Sequence, residues 1–213
     1  KITLQELAKC NNSLGSVSFQ AQDYGKAREH FGEALRLNRI ISVRFPGNEE
    51  PLAFALGQVA TVASVRNDFP EALKMFGEQL ELRKAVHERQ PAQTEGMRRL
   101  GVSYNRICDA YNRAKNPDEA IRYGEQAVAL QRKVYKREPT GVLANREYLY
   151  ALVDLALAYG KKNQPAKYCP LMYEAEPLLT GPLERINETI GDRTRKSDVR
   201  MTLPRCKAQG ILK

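Results

Sequence analysis

The 213 residues are 42% hydrophobic and 28% charged and hold no Trp, which is too apolar for a disordered chain and too interrupted by charge for a membrane span. Thirty-four Lys and Arg against 25 Asp and Glu give a net charge of +9, a balance that favours acidic partners, anionic lipid or nucleic acid. The two signs are interspersed, as in Glu78-Gln79-Leu80-Glu81-Leu82-Arg83-Lys84, so most of this charge reads as the solvated outer face of helices.

In chain order, the dominant signal is a repeat. Arg44-Phe45-Pro46, Arg89-Gln90-Pro91 and Arg137-Glu138-Pro139 recur after 45 and then 48 residues. Between them fall Asp23-Tyr24, Asp68-Phe69, Asn116-Pro117 and Gln164-Pro165, spaced by 45, 48 and 48. Two phased markers at such a period imply stacked supersecondary units, each burying its apolar face against its neighbours. The first pair of helices is predicted from Leu7 to Gln20 and from Lys26 to Val43. In the second unit Glu71 to Glu88 carries Leu73, Phe76, Leu80, Leu82 and Val86 at helical spacing; Pro70 suits its first turn and Pro91 stops it. A helix from Gln93 or Thr94 to Ala114 follows, then Glu119 to Lys136, where Gly124 stands in the register of Phe76. Glu147 to Gly160 repeats the earlier first helix, and the fourth unit then decays, with Pro165, Pro170 and Pro177 interrupting its second helix and Gly181-Pro182 closing it. The units are approximately 1–45, 46–90, 91–138 and 139–180. In the basic tail, 181–213, a helix from Pro182 to about Ile190 precedes a segment with Val199, Met201 and Leu203 that reads as a cap. The alternative, a binding arm for an acidic surface or nucleic acid, would want aromatic residues for stacking, and none follows Tyr173.

Cys10, Cys108, Cys169 and Cys206 are 98, 61 and 37 residues apart, with no CxxC and two His in the chain, so no metal site or cofactor is implied. Cys108 and Cys169 are expected as buried, reduced thiols, which favours a reducing compartment and a cytoplasmic location. The chain starts at Lys1 without Met, which reads as a piece of something longer. His30 and His87 are 57 residues apart, and HExxH, GxSxG and phosphate-binding glycine loops are all missing. An enzyme is the least favoured class.

Leu14-Gly15, Asp23-Tyr24-Gly25-Lys26-Ala27, Phe31 and Ala34-Leu35 together resemble a tetratricopeptide repeat. The pattern recurs through Phe69, Ala72, Phe76 and Leu80, through Tyr111, Ala120, Ala127 and Val128, and through Tyr159 and Ala175. The resemblance implies an all-α fold, a right-handed α-solenoid of about four antiparallel helix pairs plus a C-terminal cap. Tetratricopeptide units are about 34 residues, whereas these are 45 to 48. The long period is similar to that of a bacterial variety whose Pro-containing loop leads to a helix reading like Leu100-Gly101-Val102-Ser103-Tyr104-Asn105-Arg106-Ile107, often appended to kinase, peptidase or signalling domains.

The resemblance further implies that the first helix of each pair lines a ligand groove. The outward positions transferred are Lys9, Asn12, Ser16 and Gln20, then Thr61 and Ser64, then Asn105, Asp109, Asn112 and Arg113, and finally Tyr150, Leu157 and Lys161. Asn12 and Asn105 stand out, since an Asn offers a donor and an acceptor together to an extended peptide backbone; each also reads as an ordinary solvated helix residue. A clamp for a C-terminal carboxylate is not implied, because its positions read Asn12, Ser16, Gln58 and Val102, leaving Arg106 alone with the right charge. Arg44, Arg89 and Arg137 either form an anion-binding ridge or hold carbonyls at the ends of their own helices. Tyr111 and Tyr159 are in core register, while Tyr148 and Tyr150 project to different faces. The function implied is binding of a peptide segment or partner domain without chemistry. The alternatives are an array that regulates a catalytic domain of the same chain, and a basic nucleic-acid-binding repeat.

Overall fold

The computed structural model describes residues 3–179, 183 and 189–211. Among the described residues nine α-helices follow one another: α1 Leu4–Gln20, α2 Tyr24–Arg44, α3 Glu50–Val65, α4 Phe69–Arg89, α5 Thr94–Arg113, α6 Pro117–Arg137, α7 Val142–Lys161, α8 Pro165–Ala175 and α9 Ile190–Ala208. A 3-10 turn, Glu176–Leu179, extends α8, and no strand occurs among the described residues. The chain divides into two compact units, Lys1–Pro91 and Ala92–Lys213. Within each unit the helices pack in sequence order, the arrangement of an all-α solenoid: α1 on α2, α2 on α3 and α3 on α4 in the first, and α5 on α6, α6 on α7 and α7 on α8 in the second. The helix α9 packs on α8 and α7.

The Asp/Asn marker has a physical cause. Asp23, Asp68 and Asn116 are N-caps, their Oδ1 atoms accepting from the backbone N–H of Lys26, Glu71 and Glu119 at 3.1, 3.2 and 3.3 Å. The same residues close the preceding helix, since the N–H groups of Asp23, Asp68, Asn116 and Gln164 bond the carbonyls of Ser18, Ala63, Tyr111 and Tyr159, five residues back. This six-to-one closure needs a left-handed residue just before it. Gln22, Asn67, Lys115 and Asn163 supply it, with φ of 61°, 62°, 59° and 52°. One residue therefore ends the first helix of a pair and starts the second, and it cannot drift relative to either.

The crossing within each pair explains the small residues. A Cβ on Gly15 would lie 2.6 Å from the Phe31 ring, so α1 and α2 can approach only with glycine there. One repeat on stands Ala60, then Cys108, then Ala156, all buried. At the third crossing the volumes are exchanged: Cys108 is larger than Gly15, and its partner Gly124 is smaller than Phe31. A Cβ on Gly124 would lie 3.0 Å from both Cys108 Sγ and Leu155 Cδ1. The first unit's core gathers Phe31, Leu35, Leu56, Val59 and Val62. The second unit's core gathers Tyr148, Leu149, Leu152, Leu155 and Met172 with Val199 and Leu203 of α9.

Three expectations need correction or location. Cys169 is not a free thiol; it forms a disulfide with Cys206 across a Cα–Cα distance of 5.7 Å. The packing of α9 on α8 brings together residues 37 apart in sequence, a proximity that spacing alone does not reveal. Cys108 is a buried free thiol and Cys10 is free and exposed. The helix expected from Pro182 to about Ile190 lies largely outside the described residues; α9 instead starts at Ile190, where Thr189 and Asp192 form a capping box. Of the expected capping residues, Val199 and Leu203 are buried and Met201 is exposed. The three loop arginines differ: Arg89 Nε donates to Ala85 O of its own helix, Arg137 reaches Ala92 O at 3.1 Å, and Arg44 is exposed.

Closing a 37-residue separation with a disulfide is worth about 3–4 kcal/mol of chain entropy. Cys169→Ser/Cys206→Ser should lower the hydrogen-exchange opening free energy of α9 by about that amount and leave α1–α4 unchanged.

Candidate functional site

The first helices of the second unit, α5 and α7, are tied by a ladder of polar rungs. Arg98, Asn105 and Asn112 stand seven residues apart on α5, and Glu147, Asp154 and Lys161 stand seven apart on α7. Seven residues are close to two turns, so each set shares a helix face. Each rung joins residues 49 apart: Arg98 Nη1 donates to Glu147 Oε1, Asn105 Nδ2 donates to Asp154 Oδ2 at 3.0 Å, and Lys161 Nζ donates to the backbone carbonyl of Asn112. Asn112 Nδ2 adds a bond to the carbonyl of Asp154 at 2.8 Å.

Of the three rungs, the middle one holds the most buried charged side chain. The Asp154 side chain is 3% exposed, and Arg195 of α9 answers it with Nη2 at 2.8 Å from Oδ2. The same Nη2 lies 3.7 Å from Asp109 Oδ1, and the guanidinium stacks on the Tyr150 ring at 4.1 Å. One turn before Asp154, the Tyr150 hydroxyl donates to Asp192 Oδ1 at 3.0 Å, and Arg146 Nε meets the same oxygen at 3.0 Å. Thus α9 lies on the face shared by α5 and α7. Burial works against the charge of Arg195, and Asp154 and Asp109 outweigh it and hold the guanidinium ionised. Burial and the neighbouring Asp154 carboxylate push Asp109 up to about 6. Four buried atoms in this cluster meet no hydrogen-bond partner: Asn105 Oδ1, Asn112 Oδ1, Arg195 Nε and Arg146 Nε, whose contact with Asp192 is an ion pair only.

Among the residues transferred from the resemblance, Asn105, Asp109, Asn112, Tyr150 and Lys161 come together here. Asn112 is 6% exposed and works inside the ladder. Arg113 and Leu157 are exposed. In the first unit, Asn12 is half-buried and its Oδ1 is a buried acceptor without a partner. Ser16 and Thr61 spend their hydroxyls on carbonyls one turn back, at 2.9 and 2.7 Å; Lys9 and Gln20 are exposed and Ser64 is buried. Tyr148 and Tyr159 are buried, and Tyr111 is half-buried and stacks on Tyr123 at 5.7 Å. Sequence reasoning missed Asp154, Arg146, Asp192 and Arg195. Asp154 left a signal, a lone charge in the apolar run Ala151-Leu152-Val153-Asp154-Leu155-Ala156. Arg195 left none among the tail's other cations.

Residues 101–139, most of α5 with α6, match a family model described as tetratricopeptide repeat. Over those residues the chain is similar to a tetratricopeptide repeat. Its sequence matches no curated protein. Across the helix pairs the turn and the crossing follow the repeat, whereas the polar ladder belongs to the pairs α5/α6 and α7/α8. Among the described residues no helix is long and apolar enough to cross a membrane.

The first rung titrates. Burial pushes the Glu147 carboxyl up to about 7 from an ordinary 4.5, so between those values the folded chain holds a proton that the unfolded chain releases. Stability from this group therefore rises as pH falls from about 7 to about 4.5, by on the order of 2–3 kcal/mol. Glu95 runs the other way, since its bonds to Arg98 hold it down to about 2, and its contribution fades only as pH falls below 4.5. Urea denaturation across this range should show a larger rise in the wild type than in Glu147→Gln, which keeps the part that comes from the raised Asp109.

Proposed function

We propose that this chain is a protein-binding module that holds a peptide segment or partner domain on the face presented by its first helices, with no chemistry of its own. Tetratricopeptide repeats generally mediate protein–protein interaction, and one observation supports the same use here. The face of α5 and α7 already carries a helix, α9, seated through charged and aromatic side chains rather than through apolar area alone. A surface that orders a helix by such contacts has the hydrogen-bonding repertoire of a recognition site.

The same observation favours a second reading, an array that regulates a domain of the same polypeptide, because the occupant of the face is a segment of this chain. Nucleic-acid binding by the basic tail gains no support: Arg195 is spent on Asp154, Lys196 on the carbonyl of Leu183, and Lys207 lies 3.7 Å from Glu176. The acidic partner suggested by the net charge of +9 also has no counterpart at this face, whose floor carries Asp109 and Asp154. The disulfide removes the support that free thiols gave to a reducing compartment.

The purified full chain, immobilised, should retain a specific protein whose capture falls about tenfold, ~1.4 kcal/mol, with Asn12→Ala in the first unit or Asp109→Ala in the second. Retention of nucleic acid only, eluted by moderate salt and indifferent to both substitutions, would contradict the reading.

A further inference from the structure

The cluster around Asp154 is built for a planar cation, and that cation arrives from outside the repeat pairs. The helices α5 and α7 contribute two carboxylates, Asp109 and Asp154, and one aromatic face, Tyr150. Within the two helix pairs the ladder answers Asp154 only with the Asn105 amide, leaving a 3% exposed carboxylate without a cation of its own. A charge at that depth demands a partner. The partner is Arg195, whose guanidinium reaches Asp154, approaches Asp109 and stacks on Tyr150, a combination that suits a flat delocalised cation far better than an ammonium. The pocket also has spare capacity: Asn105, at 9% exposure, and Asn112, at 6%, each keep an amide oxygen buried without a donor, although both amide nitrogens are engaged at Asp154.

The occupant is held unevenly. The end of α9 near Arg195 is seated by polar contacts of Asp192, Arg195 and Lys196, whereas its far end is seated by Val199 and Leu203 in the core and by the Cys169–Cys206 disulfide. A segment fixed at one end and polar at the other can lift at the polar end without leaving the protein.

We infer that Asp109, Asp154, Asn105 and Tyr150 form a guanidinium-recognition pocket, that Arg195 of α9 is its resident ligand in cis, and that the external ligand is an arginine-bearing helical segment of a protein partner which displaces the Arg195 end of α9. This rests on the protein-binding reading and names the chemistry that the partner must bring. The partner contact is cationic, although the chain as a whole is basic. A tethered occupant acts at an effective concentration in the millimolar range, so a ligand in trans binds the wild type with an affinity reduced by the closed fraction.

The test uses the full chain and a fluorescent peptide of residues 189–208 carrying Cys206→Ser. Arg195→Ala in the protein should tighten peptide binding about tenfold or more over wild type, and Asp154→Asn added to that variant should abolish the gain. Changing Arg195 of the peptide to Lys should also abolish it. Ethylguanidinium, but not ethylammonium, should raise the melting temperature of the Arg195→Ala protein and leave the wild type unmoved. Should Arg195→Ala lose its helical circular dichroism, Arg195→Lys, which keeps a cation opposite Asp154, replaces it and should still bind the peptide more tightly than wild type. Equal binding by wild type and variant, absence of binding by either, or equal response to both small cations overturns the pocket. The capture loss on Asn12→Ala reads the first unit, so a failed peptide assay beside a surviving capture removes this inference and leaves the module reading in place.

Discussion

The second unit depends on a buried carboxylate. Asp154 sits in the middle of α7 at 3% exposure, within the apolar run Ala151-Leu152-Val153-Asp154-Leu155-Ala156. Burying that charge is tolerable only if several donors converge on it, and the donors come from two directions: Asn105 of α5 and Arg195 of α9. The requirement fixes the register of α5 against α7, since a slip of either helix would separate Asn105 from Asp154 and break the rungs above and below. It also fixes where α9 must lie. A single ionised side chain thus couples repeat stacking to the seating of the C-terminal helix.

The consequence for function is a change in the sign of the argument from charge. A net charge of +9 describes the whole surface, and long-range attraction follows it. Recognition at short range follows local groups, and on the face of α5 and α7 the groups facing α9 include Asp109 and Asp154, with Arg195 between them. The ladder takes up the amide nitrogens of Asn105 and Asn112 and leaves their oxygens without donors. That places the polar capacity of this face around a cation rather than along an open peptide backbone. Asn12 in the first unit keeps its free oxygen without any comparable carboxylate bonded to it among the described residues, so the two units need not recognise the same chemistry.

The repeat was legible because its period is enforced by local chemistry. Asp23, Asp68 and Asn116 cap helices whatever packs around them, and the left-handed residue before each is demanded by the six-to-one closure. Gly15 against Phe31 and Cys108 against Gly124 each put a small residue at a crossing, and the exchange of volume between the two crossings appears only when the helices are brought together. The site was legible in part. Asn105, Asp109 and Tyr150 stand on first helices, the helices from which the resemblance transfers groove positions, so it names them. Arg195 lies in a tail outside the register, and its pairing with Asp154 across 41 residues is a property of how α9 docks. The disulfide escaped for the same reason: both its formation and the position of Cys206 follow from the packing of α9 on α8.

The most direct test of this dependence is a double-mutant cycle on Asp154→Asn and Arg195→Met in the full chain, read as the hydrogen-exchange opening free energies of the α7 amides. The buried pair predicts that each single substitution destabilises α7, and that the double variant recovers about 2 kcal/mol or more relative to the sum of the two. Additivity to within about 0.5 kcal/mol would contradict it, because Asp154 would then be answered without Arg195 and would not couple repeat stacking to the seating of α9.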